Sequence, residues 1–173
     1  MRNTSENKIL KYNSRFLGTV IFMFGFLKFF EPFHTWFHIQ IAKSGLPPLS
    51  APLGIAAEMS IGLSLLLASS FRRRIRSLFT PIVALASAGL IVNMAVAIYV
   101  HLQAEVPADV LPLGIKPPFI PLVFALLAGL NLFQLFRTNE NVPSVIGHEV
   151  ATPEQYRVTQ EDGTVSERIM GQQ

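Results

Sequence analysis

Apolar residues in this chain gather into long runs instead of alternating with polar ones. The first run, 16–27, carries no charge and continues, interrupted, to 37; three more follow at 51–71, 78–101 and 119–136. Crossing a hydrocarbon core takes about 20 helical residues, with a range of roughly 17–25. The second and third runs meet that length, the fourth is short but sufficient, and the first reaches it only with its interrupted half. Helices apolar on every side belong in lipid or in the interior of a large protein. A chain of 173 residues cannot wrap a soluble shell around four of them. The pattern therefore predicts an all-α, polytopic membrane protein. A four-helix transmembrane bundle fills 16–137, with spans at 16–37, 51–71, 78–101 and 119–136, after a cytoplasmic segment at 1–15.

Span boundaries carry matching signals. Thr80-Pro81 reads as an N-cap with proline in the first turn, and Ser50-Ala51-Pro52 resembles it. Pro117, Pro118 and Pro121 mark the start of the fourth span. Trp36 and Tyr99 suit an interfacial aromatic belt. The first run exceeds the 7–15 apolar residues typical of a signal peptide, and no small-residue cleavage site follows, so it is expected to anchor the chain.

Composition sharpens the picture. Half the residues are hydrophobic and 14% are charged, against about 25% charged in an average soluble domain. Too few polar side chains remain to cover a soluble surface. The absence of cysteine excludes disulfides, thiolate metal sites and thiol nucleophiles. The sequence pI of ≈ 9.5 needs no nucleic acid to explain it, because the basic residues border apolar spans and face lipid headgroups. Arg2, Lys8, Lys11 and Arg15, the cluster Arg72, Arg73, Arg74 and Arg76, and Arg137, Arg157 and Arg168 all fall on one side of the predicted bundle. Lys43 and Lys116 fall on the other. Positive residues stay cytoplasmic, so the Arg72–Arg76 cluster pins the inner loop and both termini face the cytoplasm of a cell-membrane protein.

The tail 138–173 differs, setting two arginines against six acidic residues. Its stretch 156–166 alternates around an Asp-Gly turn in the manner of a β-hairpin. A lone hairpin is marginal in water, so the tail is expected to be disordered or a weak hairpin until it meets a partner.

Ionisable residues inside spans are functional candidates by default. Lys28 lies about 20 Å along a helix from Arg15, at 1.5 Å per residue. That leaves it about 10 Å below the outer surface of a core about 30 Å thick. Glu58 lies at about the same depth on the descending second span, and Asn93 about 12 Å down on the third. A charge at mid-span costs roughly 2.5–3.5 kcal/mol, which pairing Lys28 with Glu58 would offset. The pair reads either as a structural lock on helix register or as a ligand or proton site. Lys28 can alternatively snorkel outward and Glu58 take up a proton. Gly18 and Gly25 share the Lys28 side of the first helix, and Gly54 and Gly62 share the Glu58 side of the second, so both sides suit close packing. Ala125 and Gly129 offer the same spacing in the fourth.

A second group comprises Glu31, His34 and His38, on one face of a short segment after Pro32, with His101 across the same side of the membrane. The His34–His38 spacing suits a metal, although interfacial histidines commonly snorkel. Asn131 and Gln134, deeper in the fourth span, suit interhelical hydrogen bonds. The loop 102–118 is too long for a simple turn and reads as a lid over the outer polar group.

Arg15-x-x-Gly18, Gly25-x-x-Lys28, Gly45-x-Pro47, and Glu58 with Gly62 ahead of an arginine-rich inner loop together resemble the DoxX family of small four-helix membrane proteins. The resemblance covers roughly 15–136 and excludes the acidic tail. It implies a prokaryotic cytoplasmic membrane and a membrane subunit or scaffold of a redox system linked to quinone or sulfur. Lys28 and Glu58 are the positions it carries over. Lacking cysteine, the chain would leave sulfur redox chemistry to a substrate, a quinone or a partner. A quinone is the cofactor implied, none is expected to be covalently bound, and the partners implied are the bilayer and a soluble cytoplasmic redox protein or a second copy. No Ser/His/Asp arrangement, phosphate loop or dinucleotide fingerprint is present, so the chain is not expected to be catalytic alone. Two rival classes stand beside this one. One is an assembly or chaperone-like membrane protein recruiting a soluble partner through its tail. The other is a small transporter, which would need two copies to supply the related halves that transporters use.

Overall fold

The computed structural model of the chain describes residues 4–71 and 74–140. The expected hairpin at 156–166, the rest of the tail beyond Glu140, and Arg72 and Arg73 lie outside the described residues.

Five helices carry the described chain: α1 Thr4–Leu27, α2 Phe33–Lys43, α3 Ser50–Phe71, α4 Arg76–Leu102 and α5 Phe119–Glu140, with 3₁₀ turns at Ala108–Val110 and Pro112–Gly114. No strand occurs among the described residues. Three helical stretches, Ser50–Phe71, Ser77–Leu102 and Phe119–Arg137, are long and apolar enough to cross a membrane. Their outward side chains are apolar too: Leu85 is 77% and Leu126 68% exposed. Water would penalise such a surface and lipid would not. These are the features of a membrane protein.

The expected first span, 16–37, is two helices. α1 ends at Leu27, the amides of Phe29 and Phe30 close a turn onto Phe26 and Leu27, and α2 restarts at Phe33. Pro32 explains the break, since proline disfavours the α conformation in the residue before it. The polar N-terminal half of α1 leaves an apolar stretch of only about 12 residues, short of the roughly 20 a span needs, so α1 falls outside the three. The Thr80-Pro81 expectation also shifts. α4 begins at Arg76 and carries Pro81 within its body.

The four long helices close a ring, α1 on α3, α3 on α4, α4 on α5 and α5 on α1. Leu17, Ile21, Leu65, Val83, Leu90 and Ala128 fill its centre. Glycine sets how near α1 and α3 come. A side chain at Gly62 would meet the Phe22 backbone nitrogen at 2.5 Å, and one at Gly18 the Leu66 nitrogen at 2.8 Å. Gly129 meets nothing within 4 Å, so the Ala125/Gly129 spacing marks no comparable helix approach.

A buried polar knot joins three helices near the end where α1 starts. Asn13 donates to the Leu127 carbonyl and to Asn131 Oδ1, each at 2.8 Å. Asn131 Nδ2 donates to Ser14 Oγ at 3.2 Å and Ser87 Oγ at 3.4 Å. Asn131, Ser14 and Ser87 are fully buried, so each polar atom left alone would be costly. Interhelical hydrogen bonds in membrane proteins average about 0.6 kcal/mol. Asn131→Leu, which breaks three, is therefore expected to cost about 2 kcal/mol, read as a lower thermal unfolding midpoint in detergent.

At the opposite end α2 and the loop 103–118 form a cap. Val100, Val106, Val110 and Leu111 make a small core with Trp36, Ile39 and Leu46 against it. Side chains stitch the cap to backbone: Gln40 Nε2 to Val110 O, Tyr99 Oη to Ser44 O at 3.2 Å, and Lys116 Nζ to Val106 O at 2.6 Å.

Candidate functional site

Lys28 sits in the turn just past α1, and Glu58 lies one turn from Gly54 and one from Gly62 on α3. Gly25, three residues before Lys28, brings α1 so close that a side chain there would meet the Glu58 Cβ at 3.0 Å. That approach lets the two charges meet. Lys28 Nζ donates to both carboxylate oxygens of Glu58, at 2.6 and 2.7 Å. The side chains are 16% and 11% exposed, so little water competes with the contact. The ammonium also lies 3.8 Å from the centroid of the Phe37 ring on α2, a cation–π contact of the kind worth about 0.5–2 kcal/mol. Phe37 in turn packs on Gly54. The pair thus links α1, α2 and α3.

Glu58 and Lys28 form part of the wall of a cavity of ≈ 220 Å³. Aromatic rings dominate the rest: Phe24, Phe33, Trp36, Phe37 and Phe124. The loop closes one side with Val110, Leu111, Pro112 and Leu113, which is where a lid over the outer polar group was expected. Asn93 reaches the same cavity from α4, and its carboxamide has no hydrogen-bond partner among the described residues. The three residues that sequence depth placed at one level, Lys28, Glu58 and Asn93, therefore line one space.

The metal constellation is not assembled. Among the described residues no group of three or more His, Cys, Asp or Glu is placed to hold a metal ion. Glu31 turns its carboxylate onto the start of α2, accepting from Thr35 Oγ1 at 3.0 Å and the Thr35 amide at 3.4 Å. A carboxylate is stabilised there by the helix N-terminus. His34 and His38 are exposed, with ring centroids 4.5 Å apart, and His34 Nδ1 is 3.0 Å from the Lys28 carbonyl. His101 is buried on the cavity wall with Nδ1 3.2 Å from the Lys116 carbonyl. An i, i+4 spacing puts two histidines on one face but does not supply what stands opposite.

Sequence reasoning did not anticipate Gln40 or Ser50 on the cavity wall, or the clasp between His101 and Lys116. Gln40 lies one turn beyond Trp36 on α2, so its facing could be read only once the start of α2 is known. Of the basic cluster, Arg74 stands in the α3–α4 turn and Arg76 opens α4. Both lie at the end of the bundle where Arg15 meets Ser70 at 3.4 Å. Compared with family models, curated proteins and solved structures, the chain matches none.

Proposed function

We propose that this chain is an integral membrane protein of the DoxX type, serving as a membrane subunit or scaffold of a redox system linked to quinone or sulfur. In this reading α1 is the fourth span. Its 24 residues extend about 36 Å at 1.5 Å per residue. Its apolar half lies flush against α3, and Lys8, Lys11 and Arg15 reach the headgroups at the end that also holds Arg74 and Arg137. Both termini are then cytoplasmic in a cell membrane, by the positive-inside rule. The observation that carries the functional part is the Lys28–Glu58 pair standing in the wall of an aromatic-rich cavity. Concave, mostly apolar spaces with a few convergent polar groups are where small ligands bind. A soluble redox partner on the cytoplasmic side is the partner proposed.

Two results are expected. Removing the pair as Lys28→Met/Glu58→Leu should abolish the chain's contribution to quinone reduction in native membranes while leaving its abundance unchanged. Unaltered rates would overturn the redox role. A reporter active only outside the cytoplasm, fused after Gln173, should be silent, and an active one would overturn the orientation.

A further inference from the structure

The cavity wall contains charges that cancel. Among the described residues, Lys28 and Glu58 are its only Asp, Glu, Lys or Arg side chains, and they neutralise each other through two contacts of 2.6 and 2.7 Å. An anionic head could engage Lys28 only by displacing Glu58, and a cationic head Glu58 only by displacing Lys28. Either leaves a charge unpaired in an apolar surrounding, which is costly. A head with no net charge leaves the pair intact.

The other polar groups narrow the choice. Gln40 spends its amide on Val110 O, and His101 Nδ1 meets the Lys116 carbonyl. Asn93 and the Ser50 hydroxyl remain, and of the two it is Asn93 whose carboxamide offers a separate donor group and acceptor atom to whatever enters. Size adds a bound. An engineered cavity of about 150 Å³ lined by aliphatic and aromatic side chains admits benzene, so ≈ 220 Å³ accommodates one substituted six-membered ring. Five aromatic side chains line the space and favour a ring through stacked and edge-on contacts.

We propose that the cavity binds the electroneutral, single-ring head of a lipid-soluble molecule. Asn93 recognises the hydrogen-bonding substituent of the ring, and the Lys28–Glu58 pair excludes charged heads. This rests on the cavity being the ligand site of the function proposed above, but not on the redox role.

The protein supplies its own reporter. Trp36 is its single tryptophan and lines the cavity, so a brominated ligand that enters quenches its fluorescence. The full chain in lipid nanodiscs is titrated with 4-bromobenzamide, 4-bromobenzoate and 4-bromobenzylamine. The benzamide is expected to quench saturably, with a half-saturation at least about tenfold below either ion. Asn93→Leu, which leaves the pair untouched, should raise the benzamide value by at least about tenfold. Glu58→Gln should shift preference toward the benzoate, and Lys28→Met toward the benzylamine. Equal or unsaturable quenching by all three probes, or an unchanged value in Asn93→Leu, would overturn the proposal. The wild-type and Asn93→Leu titrations decide it even where a charge variant fails to fold. Selective quenching combined with unaltered quinone reduction in the pair variant would sink the redox role and leave the neutral-head site standing. Lost reduction with unselective quenching would do the reverse.

Discussion

Glu58→Gln, made alone, is expected to destabilise the protein by about 3–5 kcal/mol, the usual cost of breaking a buried ion pair by removing one partner. The shape of the side chain survives the change, so the loss is electrostatic. Lys28 would keep at most one hydrogen bond, to the neutral amide oxygen, and its contact with the Phe37 ring, while its positive charge would stand uncompensated and largely out of water. Lys28→Met leaves the carboxylate as the orphan and should cost a similar amount. The double substitution Lys28→Met/Glu58→Leu removes both charges. Well-packed apolar replacements for buried pairs are often neutral or stabilising by about 1–4 kcal/mol, so the double variant should recover most of the loss. Thermal unfolding in a mild detergent reads all three. Single losses that simply add in the double variant would mean that the two residues do not act on each other.

The second large effect is steric. Gly62→Val should force α1 and α3 apart, because its Cβ alone would lie 2.5 Å from the Phe22 nitrogen and 2.7 Å from the Phe22 Cα. Backbone cannot swing aside as a side-chain tip can. Overpacking a tight core typically costs about 1–3 kcal/mol, and this contact belongs at the upper end or above. The same shift would pull Gly25 from Glu58 and so weaken the ion pair at a distance. Gly129→Val, introduced where nothing lies within 4 Å, is the matched control and should leave the unfolding midpoint nearly unchanged.

Much of this arrangement follows from residue types and spacing. Four long apolar stretches and the break at Pro32 could be read directly, because span length and the missing proline donor are local properties. The meeting of Lys28 with Glu58 followed from equal depths on antiparallel neighbours, with glycines marking the faces that touch. Depth arithmetic also set Asn93 at nearly the same level. What escaped notice depends on rotation and on loop path. Asn131 announced a hydrogen bond, but nothing local says that Asn13, Ser14 and Ser87 are its partners from two other helices. Ala125 and Gly129 have the four-residue spacing of small residues that suits close packing, and yet Gly129 faces open space, since spacing defines a face without saying what packs on it. For the same reason Glu31, His34 and His38 line up in sequence while Glu31 caps α2 and His101 faces inward. Composition alone does not separate 16–27 from 33–37 into different elements, although Pro32 marks the interruption, because the stretches on either side of the turn are both apolar.

The most direct measurement is the distance between Lys28 Nζ and the Glu58 carboxylate carbon, by rotational-echo double-resonance NMR on ¹⁵N-lysine, ¹³C-glutamate protein in lipid bilayers, with Lys28→Arg to assign the signal. Nitrogen–oxygen contacts of 2.6 and 2.7 Å predict rapid dephasing that vanishes in the arginine variant. No resolvable dipolar coupling between lysine nitrogen and glutamate carboxylate would contradict the paired site.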